Sequence, residues 1–308
     1  MYVGIDVGGT NLKAGLVTES GELLATRSQP VGTVTDGGDL AHRLVELTKE
    51  LLAERGGELP QGVGMGVPGV ARDGVIGYTC NLPLTDIPME RLFRRELDVP
   101  VFLSNDANCA ALGEHRRGAG RGCDDFIVLT LGTGIGGGLI LNGKIYEGFN
   151  GMGGEVGHMV IVPDGVPCSC GRRGCWERYA SATGLCRLAA EAMEQHPESA
   201  LWRQTACVDG RGVFDAAAKG DATALGVCRD YVGYLAAGIL DLANLLQPER
   251  IALGGGLSGA PDALLLEPLQ ALVAADCYAR HAGSGTQIVK AQLGNDAGII
   301  GAALLGVQ

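Results

Sequence analysis

Tyr2-Val-Gly-Ile-Asp6-Val-Gly-Gly-Thr10 is the stretch on which the fold turns. Its apolar run reads as a buried strand ending in a glycine turn, and residues 12–17 read as the strand that returns from it. The same design recurs at Phe126-Ile-Val-Leu-Thr-Leu131-Gly132-Thr133-Gly134-Ile-Gly136-Gly137-Gly138-Leu139-Ile-Leu141, with Asn142-Gly143 as a hairpin turn afterwards. Two halves that each open on a strand and a glycine hairpin imply a duplicated domain. Between them the pattern alternates. Leu40, Leu44, Leu47 and Leu51 give residues 39–55 an amphipathic helical face. Residues 62–67 and 99–103 read as strands, and 89–97 and 107–117 as helices. Further on, residues 184–195, 213–219 and 222–246 read as helices, and 250–253 as a strand stopped by Gly254-Gly255-Gly256. The apolar tail 296–305 reads as a helix that packs back on the first domain. The expected class is therefore α/β, with helices packed over mostly mixed sheets. Two domains are expected, residues 1–117 with 297–308 and residues 118–296, with Gly118-Ala-Gly-Arg-Gly122 as a hinge.

Composition narrows the function. The chain has 308 residues, 46% of them hydrophobic, which suits a globular protein with a large core. The most apolar stretch, 232–246, is broken by Asp241 and Asn244, short of the ~18 residues needed to span a bilayer. No basic leader precedes Tyr2, so a soluble, cytoplasmic protein is expected. A net charge of −11 argues against sequence-independent nucleic-acid binding, which needs an excess of Lys and Arg. Glycine makes up 51 of the 308 residues, about 17% against a usual ~7%, and clusters at strand ends, where backbone approaches ligands closely.

The glycine turns point to phosphate. In Gly8-Gly9-Thr10-Asn11 the main-chain N–H groups meet a phosphate with no Cβ in the way, and Thr10 adds a hydroxyl. The same holds for Gly132-Thr133-Gly134. Neither is a Walker loop or a dinucleotide fingerprint, and one such turn alone is more often a plain hairpin. Two copies, with Gly254, Gly255 and Gly256 as a third cluster, favour a nucleotide held between two domains. Asp6 lies in an apolar strand, where an unpaired carboxylate is costly. Either it ligates the nucleotide's Mg²⁺ or it turns the hairpin locally. Lys13 either reaches the phosphates or is a solvated surface lysine.

Ser104-Asn105-Asp106-Ala107-Asn108 joins a strand to a helix and places Asp106 near the helix cap. Consecutive polar groups at a strand end, where α/β ligands sit, exceed what capping needs. A sugar hydroxyl attacking a γ-phosphate must lose its proton, and Asp106 is the candidate base. Asn105 is placed to orient hydroxyls, with Glu155, His158 and Glu177 as further acceptors.

His158, Cys168, Cys170 and Cys175 form a compact soft-ligand set between Glu155 and Glu177. Four such ligands suit tetrahedral zinc and leave no position for an activated water, so the metal's role is structural. Buried thiols and disulfides are the alternatives, the latter disfavoured in a reducing compartment.

These motifs together resemble sugar kinases of the repressor, open reading frame and kinase (ROK) group, of actin-like ATPase (ribonuclease H-like) fold with two domains flanking a cleft. The resemblance covers essentially the whole chain. It implies ATP-dependent phosphotransfer to a hexose 6-hydroxyl, with Asp106 as base, Mg²⁺ carried with ATP, and zinc on His158, Cys168, Cys170 and Cys175. It adds Gly69 and Asn81 to Asn105, Asp106, Glu155, His158 and Glu177 as sugar contacts. His158 then serves twice, one ring nitrogen on zinc and the other toward a hydroxyl. Glucose is the leading acceptor. Where many glucose-directed relatives carry an aromatic residue after the Asn-Leu pair, this chain reads Asn81-Leu82-Pro83-Leu84-Thr85. Allose and N-acetylmannosamine kinases are therefore alternatives. A non-catalytic sugar-sensing regulator is the alternative of another class, disfavoured because both phosphate loops and the candidate base are intact, while a phosphate strand that begins at residue 2 argues against a DNA-binding repressor. Relatives imply a homo-oligomer, dimer or tetramer.

Overall fold

The computed structural model describes residues 1–79, 82, 84–199, 201, 209–282 and 285–307. Two compact units form: Met1–Asp124 with Gly138–Gly154 and Gln292–Gln308, and Asp125–Gly137 with Glu155–Ala291. In chain order the elements up to residue 117 are β1 (Tyr2–Val7), β2 (Asn11–Val17), β3 (Leu23–Pro30), α1 (Gly37–Ala53), β4 (Val63–Val67), β5 (Gly69–Arg72), β6 (Val75–Thr79), β7 (Thr85–Ile87), α2 (Met89–Arg94), β8 (Val101–Asn105) and α3 (Asp106–Arg117). There follow β9 (Phe126–Leu131), β10 (Ile135–Leu141), β11 (Lys144–Ile145), α4 (Glu177–Ala180), α5 (Ala182–Gln195), α6 (Gly210–Ala218), α7 (Ala222–Leu246), β12 (Arg250–Gly254), α8 (Leu266–Asp276), β13 (Gln287–Lys290) and α9 (Ala297–Leu304).

One topology is written twice. The first sheet has the order β3-β2-β1-β4-β8, and the second β11-β10-β9-β12-β13. In the first, β1 is antiparallel to β2 and parallel to β4, which is parallel to β8. In the second, β10 is antiparallel to β11, and β9 and β13 run parallel to β12. The duplication expected from the paired glycine hairpins is thus present as strand order.

In the first unit, α9 returns to the sheet, and glycine permits the approach. A Cβ on Gly4 would strike the Ile299 carbonyl oxygen, and one on Gly64 the Ala302 carbonyl oxygen. Across the other side of α9, Gly301 faces the Cys109 carbonyl of α3, and Gly113 faces that of Ala297. In the second unit, Trp176 is fully buried, donates Nε1–H to the Tyr234 carbonyl at 2.8 Å, and lies where a Cβ on Gly238 of α7 would sit.

Three features add to the sequence reading. The small β5-β6-β7 sheet was not legible, because its strands are short, bulged at Val70/Ala71 and joined by Asp73 and Gly74 at positive φ. Exposed β3 gave no apolar pattern either. The Gly118–Gly122 stretch, expected as a hinge, falls within the first unit, just after α3. The N–H groups of Gly118 and Gly120 donate to the Glu114 carbonyl, and that of Ala119 to the Glu114 side chain.

Candidate active site

In the first unit, the β1–β2 hairpin turns at Gly8, Gly9 and Thr10. Gly8 N–H donates to the Asn11 carbonyl at 3.0 Å, and a Cβ there would come within 2.8 Å of that oxygen, so the turn is closed by backbone alone. Gly9, Thr10 and Asn11 are exposed. Asp6 lies opposite Lys13 in the ladder, with its carboxylate 3.8 Å from where a Cβ on Gly298, in the first turn of α9, would be. Burial holds the Asp6 carboxyl above the usual carboxylate range, with the Lys13 charge pulling the other way.

β8 and α3 position the candidate base. The helix cap is Asn105 rather than Asp106: its Oδ1 accepts from Ala107 N–H at 2.8 Å and Asn108 N–H at 3.3 Å, while its Nδ2 donates to the Gly69 carbonyl at 3.0 Å. Both ends of the Asn105 amide are therefore engaged, and Asp106 is the first residue of α3. Buried Ser104 donates to Glu147 at 2.5 Å. Glu147 was not singled out from the sequence, since a lone Glu after a hairpin carries no pattern. Behind them Cys109 is fully buried, its thiol held well above the usual range by desolvation first, then by the charges of Asp106, Asp6 and Glu147. Three carboxylates distant in sequence thus gather about one inert thiol. Asn81 lies outside the described residues.

In the second unit, Gly254 pairs with Thr130 in the β9–β12 ladder, bringing the Gly254–Gly256 cluster beside the turn that carries Gly132, Thr133 and Gly134. Gly255 has φ +80°, and a Cβ on it would lie 2.6 Å from the Leu131 carbonyl oxygen, so no other residue fits there. Gly132 N–H closes the turn on the Gly134 carbonyl at 3.1 Å.

The soft-ligand set converges in the same unit. His158, Cys168, Cys170 and Cys175 each offer one ligand atom, all within 4.8 Å of one another. Cys168 Sγ is 3.6 Å from His158 Nδ1, and Cys170 Sγ is 3.6 Å from Cys175 Sγ. A zinc tetrahedron with bonds of ~2.0–2.3 Å has edges of about 3.3–3.8 Å, so the residues fit the ion. The turns between them rest on Gly171 and Gly174, both at positive φ, and on a bridge pairing Val160 with Cys175. Burial pushes the Cys175 thiol up to about 12. Glu177 stands beside the set, accepting from Cys168 Sγ at 3.1 Å, with Oε2 2.5 Å from where a Cβ on Gly134 would be. It therefore adjoins both the metal-ligand set and the glycine turn. Glu155 is exposed, just before the short turn Val156–His158.

Comparison with known proteins agrees with this fold: the ROK family profile matches residues 2–308. The chain belongs to the ROK family. A glucokinase of Halalkalibacterium halodurans is 40% identical over 315 aligned residues, spanning 100% of this chain and 95% of the relative. The crystal structure of a ROK family glucokinase from Streptomyces griseus in complex with glucose and AMPPNP superposes with a TM-score of 0.80 at 34% identity, covering 98% of this chain and 97% of that one. The ROK hexokinase of Thermus thermophilus superposes with a TM-score of 0.83 at 33% identity, covering 99% and 97%. The fold is that of the actin-like ATPases, and the repeated strand order is its signature in this ROK chain.

Proposed function

We propose that the protein is an ATP-dependent hexose kinase that phosphorylates glucose at its 6-hydroxyl. The observation that carries the reading is full-length similarity to glucokinases, one of them holding glucose and an ATP analogue. The chain's own residues supply the chemistry. Asp106, at the end of β8, accepts the proton of the attacking hydroxyl, while Asn105 holds β5 at Gly69 and caps α3, fixing the base in place. Glu155, Glu177 and the Nε2 of His158 supply acceptors and donors for the sugar's other hydroxyls. Thr10 and the amides of Gly9, Thr133 and Gly134 cradle phosphates, as do those of Gly254, Gly255 and Gly256, while the Gly8 and Gly132 amides close their turns. Mg²⁺ carried with the nucleotide would neutralise charge on the phosphates, and Asp6, opposite Lys13 in the ladder, is the residue that would help to hold it. His158, Cys168, Cys170 and Cys175 would hold a structural zinc, and ligation through the His158 Nδ1 that faces Cys168 would fix the ring's tautomer.

The reading is tested by a coupled ATP-consumption assay across glucose, mannose, allose, fructose and the N-acetylhexosamines. Glucose should give the highest kcat/KM. A silent glucose well beside a strong allose or N-acetylmannosamine signal would reassign the acceptor. No sugar-dependent ADP release from any of them would turn the reading toward a ligand-binding regulator. A sizing measurement tests the accompanying proposal of a homodimer or homotetramer.

A further inference from the structure

Around the turn Gly132-Thr133-Gly134, the start of α5 makes contacts that packing alone does not require. Ala182 N–H donates to the Gly132 carbonyl at 2.8 Å. One residue on, the hydroxyl of Thr183 donates to the Thr133 carbonyl, also at 2.8 Å. Behind Thr183 stands Ser181, fully buried, whose Oγ lies 2.9 Å from the Thr183 hydroxyl and accepts from Gly184 N–H at 3.1 Å as the helix cap. Two successive carbonyls of the turn are thus held by two successive residues of one helix start.

The consequence follows from peptide geometry. In a trans peptide the carbonyl of one residue and the N–H of the next point to opposite sides. Fixing the Gly132 and Thr133 carbonyls toward α5 therefore aims the N–H groups of Thr133 and Gly134 away from it. A turn of two glycines about one threonine has many conformations open to it, and a donor pair that must be ordered at each binding event loses affinity. We infer that Thr183, backed by Ser181, is a positioning residue of the phosphate-binding turn: its hydroxyl locks the Thr133 carbonyl so that the Thr133 and Gly134 amides are preset for the phosphates of the nucleotide. The inference rests on the reading of Gly132–Gly134 as a phosphate site.

The test compares Thr183→Val, which keeps the shape and deletes the hydroxyl, with Thr183→Ser, which keeps the hydroxyl. Thr183 is exposed, so either side chain is accommodated, and thermal melts check the fold. Two readouts are taken: KM for ATP and for sugar, and inhibition by inorganic tripolyphosphate and by adenosine, which report the phosphate and nucleoside ends separately. Loss of one anchoring hydrogen bond should raise the ATP KM and the tripolyphosphate inhibition constant about 3- to 10-fold in Thr183→Val. Sugar KM and adenosine inhibition should stay within about twofold, and Thr183→Ser should match wild type. An unchanged ATP KM in Thr183→Val, equal weakening of adenosine, or a Thr183→Ser variant as impaired as the valine would each overturn the inference. Thr133→Pro, which removes one of the amides itself, separates the two failures. If it leaves tripolyphosphate inhibition intact, the phosphate site is misread; if it weakens inhibition while Thr183→Val does not, only the positioning role falls.

Discussion

The carboxyl group of Asp6 is held above the usual carboxylate range by burial, against the pull of Lys13 across the β1–β2 ladder. Burial penalises the charged form, so the folded state is favoured while the group is protonated, below its unfolded value near 3.8. That advantage is lost as pH rises through the raised folded value. Asp6→Asn, neutral throughout, is expected to melt above wild type at pH 7 and to converge with it toward pH 3, while kcat falls by about 100-fold through loss of a preorganised group. A melting temperature below wild type at pH 7 would contradict the sign. Asp106 makes a different demand. Because Asn105 carries the cap, Asp106→Asn should leave the fold and the sugar KM within a few-fold of wild type and lower kcat by at least ~100-fold, the loss expected for a general base. Turnover within a few-fold of wild type would remove Asp106 from that role. The polar cluster from Ser104 to Asn108 was legible because such residues crowd a strand end. The hydrogen bond from Ser104 to Glu147 was not, since it links positions 43 apart.

Among the elements, the segment from His158 to Glu177 carries both the candidate metal-ligand set and the Glu177 carboxylate proposed as a sugar acceptor. Cys168 touches Glu177, and Trp176, next to Cys175, is buried against α7, so the metal-ligand set and the acceptor share a support. The glycine turn has its own anchor in Ala182 and Thr183. Metal removal is therefore expected to raise the sugar KM several-fold before it disturbs ATP affinity. Elemental analysis should find about one zinc per chain, and an unchanged sugar KM in protein proven zinc-free would break the coupling. Zinc uptake must also release protons from the thiols. With Cys175 pushed up to about 12, zinc affinity should fall as pH falls, measured by competition with a chromophoric chelator. The helices over 107–117, 184–195 and 222–246 were readable from period and caps alone, and α7 runs over Ala222–Leu246 as the pattern gave it. Short strands β5, β6 and β7 were not, because three to five residues broken by positive-φ turns carry no period.

At the scale of the molecule, the first unit is assembled from three separate stretches of chain, and Glu114 ties two of them. Fully buried on α3, it accepts from Ala119 N–H at 2.8 Å through one oxygen, and from Gln292 and Leu293 N–H at 2.8 and 2.6 Å through the other. Glu114→Ala would leave the buried Ala119 N–H without its partner at a cost of about 1–3 kcal/mol, so a lowered melting temperature is expected. Assayed below that temperature, the variant should keep its KM values. Melting at the wild-type temperature would show that water or neighbouring groups replace the carboxylate. The sequence by itself determined the duplicated α/β plan, the two glycine turns, the polar cluster where β8 meets α3 and the soft-ligand set, because each is a local pattern of periodicity, spacing or donor type. Only the tertiary structure decided that Asn105 reaches Gly69, that Glu147 meets Ser104, that Glu177 stands between a thiol and a glycine turn, and that Thr183 holds the turn's carbonyl. Those are contacts between residues whose separation in the chain says nothing of their distance in space, and packing alone brings them together.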